Sequence, residues 1–306
     1  MANEQLLKWP GAENIREIRL DRLIRENLPD LSWSRIRNFV VTGKLSINGS
    51  IVLDPATMVR PNDSVAYRAT ARRIEGQRAT TIPILHVDSQ IVVVNKPAGI
   101  STVPYDEEER GTLYQSLRSQ LAGKTRRSPV PLHVVHRIDK ETSGVVVFAR
   151  THAALLHFKQ LFRVHDIDRR YIALVYGLAQ ERTFRSRLIA DRGDGKRGST
   201  SNQKLGREAV THVRPLERFA SATLLECRLE TGRTHQIRIH LAEAGYPLFG
   251  ERVYAKGAPV LQHAPRLMLH AKTLGFRHPT TDERMSFNVD IPGDMSDFLL
   301  RLRGAS

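Results

Sequence analysis

The chain is poor in cysteine, in long apolar runs and in acid. A single cysteine, Cys227, stands among 306 residues, which excludes an intramolecular disulfide framework and a thiolate zinc site. Within the apolar run Ala222 to Leu229 it reads as a core residue. No stretch approaches the roughly twenty consecutive apolar residues of a membrane span, and residues 1–14 lack the apolar centre of a secretory signal. A reducing, aqueous compartment is therefore expected, most simply the cytoplasm. The chain has neither a Walker loop nor a glycine-rich dinucleotide fingerprint. Acids number thirty-two against forty-seven Lys and Arg, a formal net charge of +15. That balance favours a polyanionic partner, with nucleic acid the leading candidate, although a basic surface can also serve solubility alone.

What is present suggests two domains, since the length allows a small one and a larger one with a full core. Residues 1–14 read as a polar tail with a Pro-Gly break. From there Ile18, Leu20, Leu23, Ile24 and Leu28 recur at helical spacing among Arg16, Arg19, Arg22 and Arg25, and Pro29 ends the run. Ser32 is placed to cap a second helix, with Ile36, Phe39 and Val40 on one face, Arg35 and Arg37 on another, and Gly43 as its stop. Two short strands around Asn48-Gly49 predict a hairpin, Leu45 to Ile47 and Ile51 to Leu53, and Val65 to Arg68 a last strand. Residues 69–81 turn to Ala, Thr, Arg and Gly without periodicity and read as a flexible linker carrying Arg72, Arg73 and Arg78.

The second domain opens with the strand Ile91 to Val94, which runs into Asn95-Lys96-Pro97-Ala98-Gly99. Asp106 to Glu109 reads as an exposed acidic loop, Thr112 as the cap of a helix through Leu121, and Lys124 to Pro129 as a basic loop. The organising stretch follows, from His133 to Gly144: Asp139 stands two residues after Arg137, ahead of the strand Val145 to Phe148. Arg-x-Asp alone is most often a surface ion pair, yet an acid at the mouth of a strand beside a guanidinium is also a way to hold a reactive carboxylate. Thr151 opens an amphipathic helix, and Arg169 to Gly177 alternates as a strand containing Tyr171, a position that is usually half-buried core. Asp191 to Gln203 reads as a mobile loop. In Gly232 to His240, Thr234 is expected as a helix N-cap, placing Ile237, Leu241 and Ala244 on the core face and Arg238 beside it. His133, His136, His235 and His240 do not share a spacing suited to one metal, so no metal site is expected.

The string His136-Arg137-Ile138-Asp139-Lys140-Glu141-Thr142-Ser143-Gly144 resembles the signature of the RluA-type pseudouridine synthases, His-Arg-Leu-Asp-x-x-Thr-Ser-Gly. Gly232 to His240 is similar to a second signature of that family, Gly-Arg-Thr-His-Gln-Ile-Arg-x-His. Asn95 to Gly99 resembles its first motif, and Arg169 to Ala173 its Lys-x-Tyr-x-Ala, with arginine for lysine. Glu251 stands where the family usually has Asp. The N-terminal pattern resembles the S4 RNA-binding module through Arg19 to Leu23, Ser34-Arg35, Gly43-Lys44 and Ile47-Asn48-Gly49. The resemblance implies an α+β pseudouridine synthase fold with a large mixed, mainly antiparallel sheet, preceded by a small α/β S4-like domain. The expected divisions are residues 1–14, 15–70, a linker 71–82, and a catalytic domain 83–306.

By that resemblance Asp139 is the catalytic carboxylate, Arg238 its partner, and Tyr171 the residue facing the base. Arg137, Lys96, His235 and Arg233 are expected at the substrate, and Arg19, Arg22, Arg35, Arg37 and Lys44 on RNA. The implied reaction turns uridine into pseudouridine without gain or loss of atoms, so no cofactor or metal is needed. Asp139 acts either as nucleophile at C1′ or as base at C2′. Structured RNA is the expected partner, large-subunit ribosomal RNA ahead of tRNA, for a monomer. A non-catalytic ribosome-assembly factor and an RNA-cleaving enzyme using His136 and His235 are the competing classes.

Overall fold

A computed structural model describes residues 4–10, 17–52, 55–68, 81–105, 109–124, 131–255 and 264–304. The expected linker residues 69–80, residues 106–108 of the acidic loop and residues 125–130 of the basic loop lie outside the described residues. The chain divides into two compact units, one of residues 1–81 with 104–111 and one of 82–103 with 112–306.

The first unit contains β1 (Glu4–Leu6), β2 (Ile18–Arg19), α1 (Leu20–Asn27), α2 (Trp33–Val41), β3 (Leu45–Ile47), β4 (Ser50–Ile51), β5 (Met58–Val59) and β6 (Val65–Arg68). The two helices pack through Leu20, Leu23, Ile24, Ile36 and Val40 onto Leu45, Val59 and Val65, each fully buried side chain of this kind contributing about 1.5–3 kcal/mol. Ser32 Oγ accepts the Arg35 N–H at 3.2 Å and so caps α2. Asn48 and Gly49 both have positive φ, 51° and 79°, the conformation a two-residue hairpin turn of this hand demands. One expectation is corrected: residues 4–6, read as tail, pair antiparallel with β6, Glu4 opposite Arg68. A lone three-residue strand carries too little periodicity to be seen in sequence.

The second unit contains β7 (Ile84–Val87), β8 (Ile91–Lys96), α3 (Leu113–Lys124), β9 (His133–Val134), β10 (Ser143–Ala149), α4 (His152–Arg163), β11 (Asp168–Tyr176) and β12 (Arg182–Ile189). It continues with β13 (Gly198–Thr200), β14 (Arg207–Arg218), β15 (Ala222–Leu229), α5 (Gln236–Glu243), β16 (Leu269–Arg277), β17 (Arg284–Asn288) and α6 (Gly293–Gly304). Among the described residues eleven strands form one sheet, ordered β13-β12-β14-β15-β11-β16-β10-β8-β7, with β17 on β16 and β9 on β10. Its pairs are antiparallel except β10 with β16.

Helices cover both faces of this sheet, which explains why β10 is buried along its whole length. Val146 and Phe148 point into a core shared with Leu113, Leu117 and Leu121 of α3 and Ile237 and Leu241 of α5. Val145, Val147 and Ala149 point the other way, toward Ala154, Phe158 and Leu161 of α4. Farther along that strand array, Ile172 and Leu174 pack with Met295, Phe298, Leu299 and Leu302 of α6. Cys227 is fully buried, as its apolar run implied, and burial pushes its thiol pKa up. The expected loop 191–203 is in part a strand, since β13 pairs with β12. Its Gly, Ser and Lys content hid a hairpin held by backbone hydrogen bonds, which any sequence can make.

Candidate active site

Asp139 lies in the short segment between β9 and β10, and its neighbours are tied down on both sides. Thr102 Oγ1 donates to the Ile138 carbonyl at 2.8 Å and accepts the Ile138 N–H at 3.2 Å. On the other side the Lys140 carbonyl accepts from the Gly99 N–H at 2.9 Å and from Lys96 Nζ at 3.1 Å. After the turn, Gly144 has φ +121°, and a Cβ there would come within 2.1 Å of the Ala271 carbonyl oxygen on β16. The Thr-Ser-Gly ending is thus the residue set that lets β10 start against a parallel neighbour at close approach.

Lys96 departs from its expected role at the substrate. Its side chain is fully buried, and Nζ donates to the carbonyls of Pro97, Ile100 and Lys140 at 2.9, 2.8 and 3.1 Å. Burial draws its pKa down to about 7, opposed in part by the Asp139 charge. The three carbonyls match the three protons of an ammonium, so Lys96 anchors the loop that carries Asp139 and makes no wall of the cleft.

Arg238, from α5, brings its Nη1 to 3.3 Å from Asp139 Oδ2. The same guanidinium is gripped from behind by Glu251, with Nε to Oε2 at 2.7 Å and Nη2 to Oε1 at 2.9 Å. Glu251 also accepts the backbone N–H groups of Val253 and Tyr254 at 2.8 and 3.3 Å. Burial opposes the Glu251 charge, but the Arg238 hydrogen bonds and charge with these N–H groups hold its pKa below the usual carboxylate range. Burial opposes the Arg238 charge as well, and the pairing with Glu251 and then Asp139 raises its pKa regardless. One buried cation between two carboxylates leaves a net negative charge on the outer one, Asp139, whose side chain is 18% exposed against 0% for Glu251.

The start of α5 differs from expectation. The N-cap is His235, not Thr234, with a left-handed φ of 58° and no side-chain cap. A non-glycine residue in that region costs on the order of 1–3 kcal/mol. Here it turns the imidazole toward the acid: Nδ1 meets the Tyr254 hydroxyl at 2.7 Å, and Nε2 stands 3.9 Å from Asp139 Oδ1. Burial lowers the His235 pKa, with the Asp139 charge working the other way. Gln236 completes the turn, its Oε1 accepting from Thr231 Oγ1 at 2.8 Å and the Arg233 N–H at 3.0 Å.

These groups open onto a cleft of about 560 Å³ lined by Arg137, Asp139, Arg169, Tyr171, Arg233, His235 and Arg238. Arg137 is exposed. Tyr171 is 8% exposed, and burial raises its phenol pKa, with Arg169 lowering and Asp139 raising it further. Arg169 is buried above the Phe162 ring at 5.2 Å, with Nη2 donating to the Glu230 carbonyl at 2.7 Å. Gly232 leaves room for it, since a Cβ there would meet Arg169 Nη1 at 2.5 Å. Among the described residues no three His, Cys, Asp or Glu side chains are grouped to hold a metal ion.

Two features went unread in the sequence. Glu251 was placed by resemblance without a role, and its grip on Arg238 rests on Gly250, where a Cβ would meet the Arg266 carbonyl oxygen at 2.0 Å. Thr102 carried no signal at all. In the first unit, Arg22, Arg35 and Arg37 are exposed, whereas Arg19 is bound to the Asp21 carboxylate at 2.7 and 3.1 Å and Lys44 lies over the Phe39 ring at 5.3 Å.

Residues 90–243 match the RNA pseudouridylate synthase family, and residues 18–65 match the S4 domain. The chain belongs to the RNA pseudouridylate synthase family. It is similar to ribosomal large subunit pseudouridine synthase D of Vibrio cholerae, 33% identical over 301 residues that cover 93% of this chain and 91% of that protein. The protein of the same name from Zymomonas mobilis is 35% identical over 311 residues, covering 95% and 93%. A solved structure of human RNA pseudouridylate synthase domain containing 4 superposes with a TM-score of 0.61 at 25% identity, over 72% of this chain and 93% of that one. The enzyme is therefore an isomerase acting on RNA, an S4 domain preceding its synthase fold.

Proposed function

We propose that the enzyme isomerises uridine in large-subunit ribosomal RNA, with Asp139 as the reacting carboxylate. The observation that carries this reading is the Asp139–Arg238 contact at 3.3 Å inside the cleft, with Arg238 itself locked by Glu251. The reaction breaks the bond from C1′ to N1, turns the uracil, joins C1′ to C5, and moves a proton from C5 to solvent while N1 gains one. As nucleophile at C1′ or as base at C2′, the carboxylate has to be ionised when the sugar arrives, and a guanidinium cannot lose its charge at any working pH. Holding the fork in place beforehand removes reorganisation from the reacting step.

The target nucleotide has to leave its stack, at a cost of a few kcal/mol. Arg137, exposed at the cleft, is positioned to fill the vacated space or take the neighbouring phosphate, and Tyr171 offers a ring face for the extruded base. The Tyr171 phenol, whose pKa burial raises, is suited to stack on the extruded ring and to donate a hydrogen bond to it. The curated relatives named for the large ribosomal subunit support ribosomal RNA as substrate. The cytoplasm is the matching compartment and a monomer the expected species, since one chain holds both the S4 domain and the cleft.

The test is Asp139→Asn, which keeps size and hydrogen-bonding capacity while removing the charge. Pseudouridine formation in ribosomal RNA from cells lacking this protein is expected to fall by at least about a thousandfold, about 4 kcal/mol in the barrier, with RNA affinity changed by less than about threefold. Retained turnover sinks the assignment of Asp139, and pseudouridines missing from transfer RNA alone in those cells sink the choice of substrate.

A further inference from the structure

A second cavity, of about 520 Å³, adjoins the cleft and shares Gly232, Arg233 and Thr234 with it. Three guanidinium groups from separate parts of the chain line it: Arg197 just ahead of β13, Arg207 at the start of β14, and Arg233 just ahead of α5. Among the described residues none of the three is paired with a carboxylate. Arg233 Nε donates to the Glu208 carbonyl at 2.9 Å, a neutral partner, and the Glu208 carboxylate, held by Arg185, offsets the Arg233 charge only in part.

The acids nearby are engaged elsewhere. Asp191 accepts the N–H groups of Gly193 and Gly195 at 2.8 and 3.0 Å. Asp194 holds Arg192 at 2.9 Å, Glu208 holds Arg185 at 2.6 Å, and Glu243 accepts the Ser199 N–H at 2.9 Å. Like charges gathered in a concavity repel one another, and the repulsion registers here: burial and then the Arg207 charge lower the Arg233 pKa, against a smaller pull from Glu208. A bound anion would relieve that repulsion, and a planar guanidinium fork suits phosphate oxygens in particular. The wall in common with the cleft decides which phosphate, because a group held there sits beside whatever enters toward Asp139.

We propose that this second cavity binds one backbone phosphate of the RNA, flanking the uridine that enters the cleft, through Arg197 and Arg207 together with Arg233. The proposal rests on the reading of the cleft as the uridine site. It assigns to the β12–β14 hairpin region the task of fixing the strand's course at the reacting nucleotide, separately from the S4 domain.

The test uses the full-length enzyme and an RNA in which the wild type forms pseudouridine. Arg197→Gln with Arg207→Gln is expected to weaken RNA binding about tenfold and to reduce the slope of log affinity against log salt by about 0.7–0.9, the value for one phosphate. Arg197→Lys with Arg207→Lys, which keeps the charge, is expected to retain the wild-type slope. RNAs carrying one uncharged methylphosphonate linkage at successive positions around the target then locate the contact. At one linkage the wild type is expected to lose about tenfold and the glutamine variant nothing further. Unchanged affinity and slope in the glutamine variant, or losses that multiply at every linkage, overturn the subsite while pseudouridine formation by the wild type leaves the uridine site standing. Failure of the wild type to form pseudouridine in any ribosomal or transfer RNA from cells lacking it overturns both.

Discussion

The two units treat charge in opposite ways. In the S4 domain the cations stand on the outside, and their ion pairs are made by exposed guanidinium groups, such as Arg22 with Glu26 at 3.3 Å and Arg60 with Glu17 at 3.0 Å. In the synthase unit Asp139 meets Arg238 and Glu251 from about a hundred residues away in the chain, at a place where Arg238 and Glu251 are buried. An exposed pair is worth at most about 1 kcal/mol, whereas a buried charge is tolerable only if its partners are fixed. The first arrangement suits attraction of a polyanion without fixing its register. The second fixes one carboxylate and attracts little.

The sharpest way to break this contrast is to strand the buried cation. Glu251→Ala leaves Arg238 without its bidentate partner, and loss of one member of a buried pair costs about 3–5 kcal/mol. Denaturant unfolding of the synthase unit is expected to show a loss of that order, and pseudouridine formation to fall with it. Glu251→Asp, the shorter acid, is expected to recover part of both.

Acid sets the units apart next. Histidine is missing from residues 1–81 and 104–111, whereas the synthase unit holds neutral rings, buried at His240 and His270 and half-buried at His136 beside the cleft. Burial lowers the pKa of His136 to about 3 and of His240 and His270 to about 4. His136 Nε2 accepts the Val147 N–H at 3.2 Å, which requires the neutral ring. A folded pKa below the unfolded one, about 6.5, means that the unfolded chain binds more protons between the two values. Their contribution is complete above pH 6.5 and is lost as pH falls toward 4. Thermal unfolding followed between pH 7 and 4 is expected to show the synthase unit's midpoint falling steeply, and His270→Asn to flatten part of that fall. A midpoint indifferent to pH in this window would show that the buried rings are not neutral.

The smallest effect is expected at the surface. Replacing Arg22, Arg35 and Arg37 with glutamine is expected to weaken RNA binding about tenfold and to reduce the salt slope by about 2, at 0.7–0.9 per phosphate contact. The loss should fall on affinity at low RNA concentration, and its absence would remove these three from the docking surface.

The contrast also explains what was legible in the sequence. Helices α1 to α4 announced themselves through apolar spacing, with caps at Ser32 and Thr151, and β10 through an unbroken apolar run, whereas α6 went unread and the cap of α5 fell one residue later than expected. The strand Arg182–Ile189 went unread because its arginines fall on both faces, exposed Arg182 on one and Arg185 with half-buried Arg187 on the other, which masks the alternation. At the site, Asp139, Arg238, Tyr171 and Arg233 lay in contiguous motifs and do line one cleft. Lys96 lay in such a motif too, but a motif gives nearness, not direction, and this side chain turns into the protein. Thr102 and the grip of Glu251 are contacts across 36 and 13 residues, and nothing local in the sequence marks either end.

The double tether of the Asp139 loop has one more effect. At position 140 the tether is a main-chain oxygen, held by Lys96 and Gly99. Every amino acid supplies that oxygen, so this particular tether sets no demand on the side chain that follows the acid. Lys96 and Thr102, far from it in the chain, have no such freedom, and the reach of the carboxylate into the cleft is governed from there.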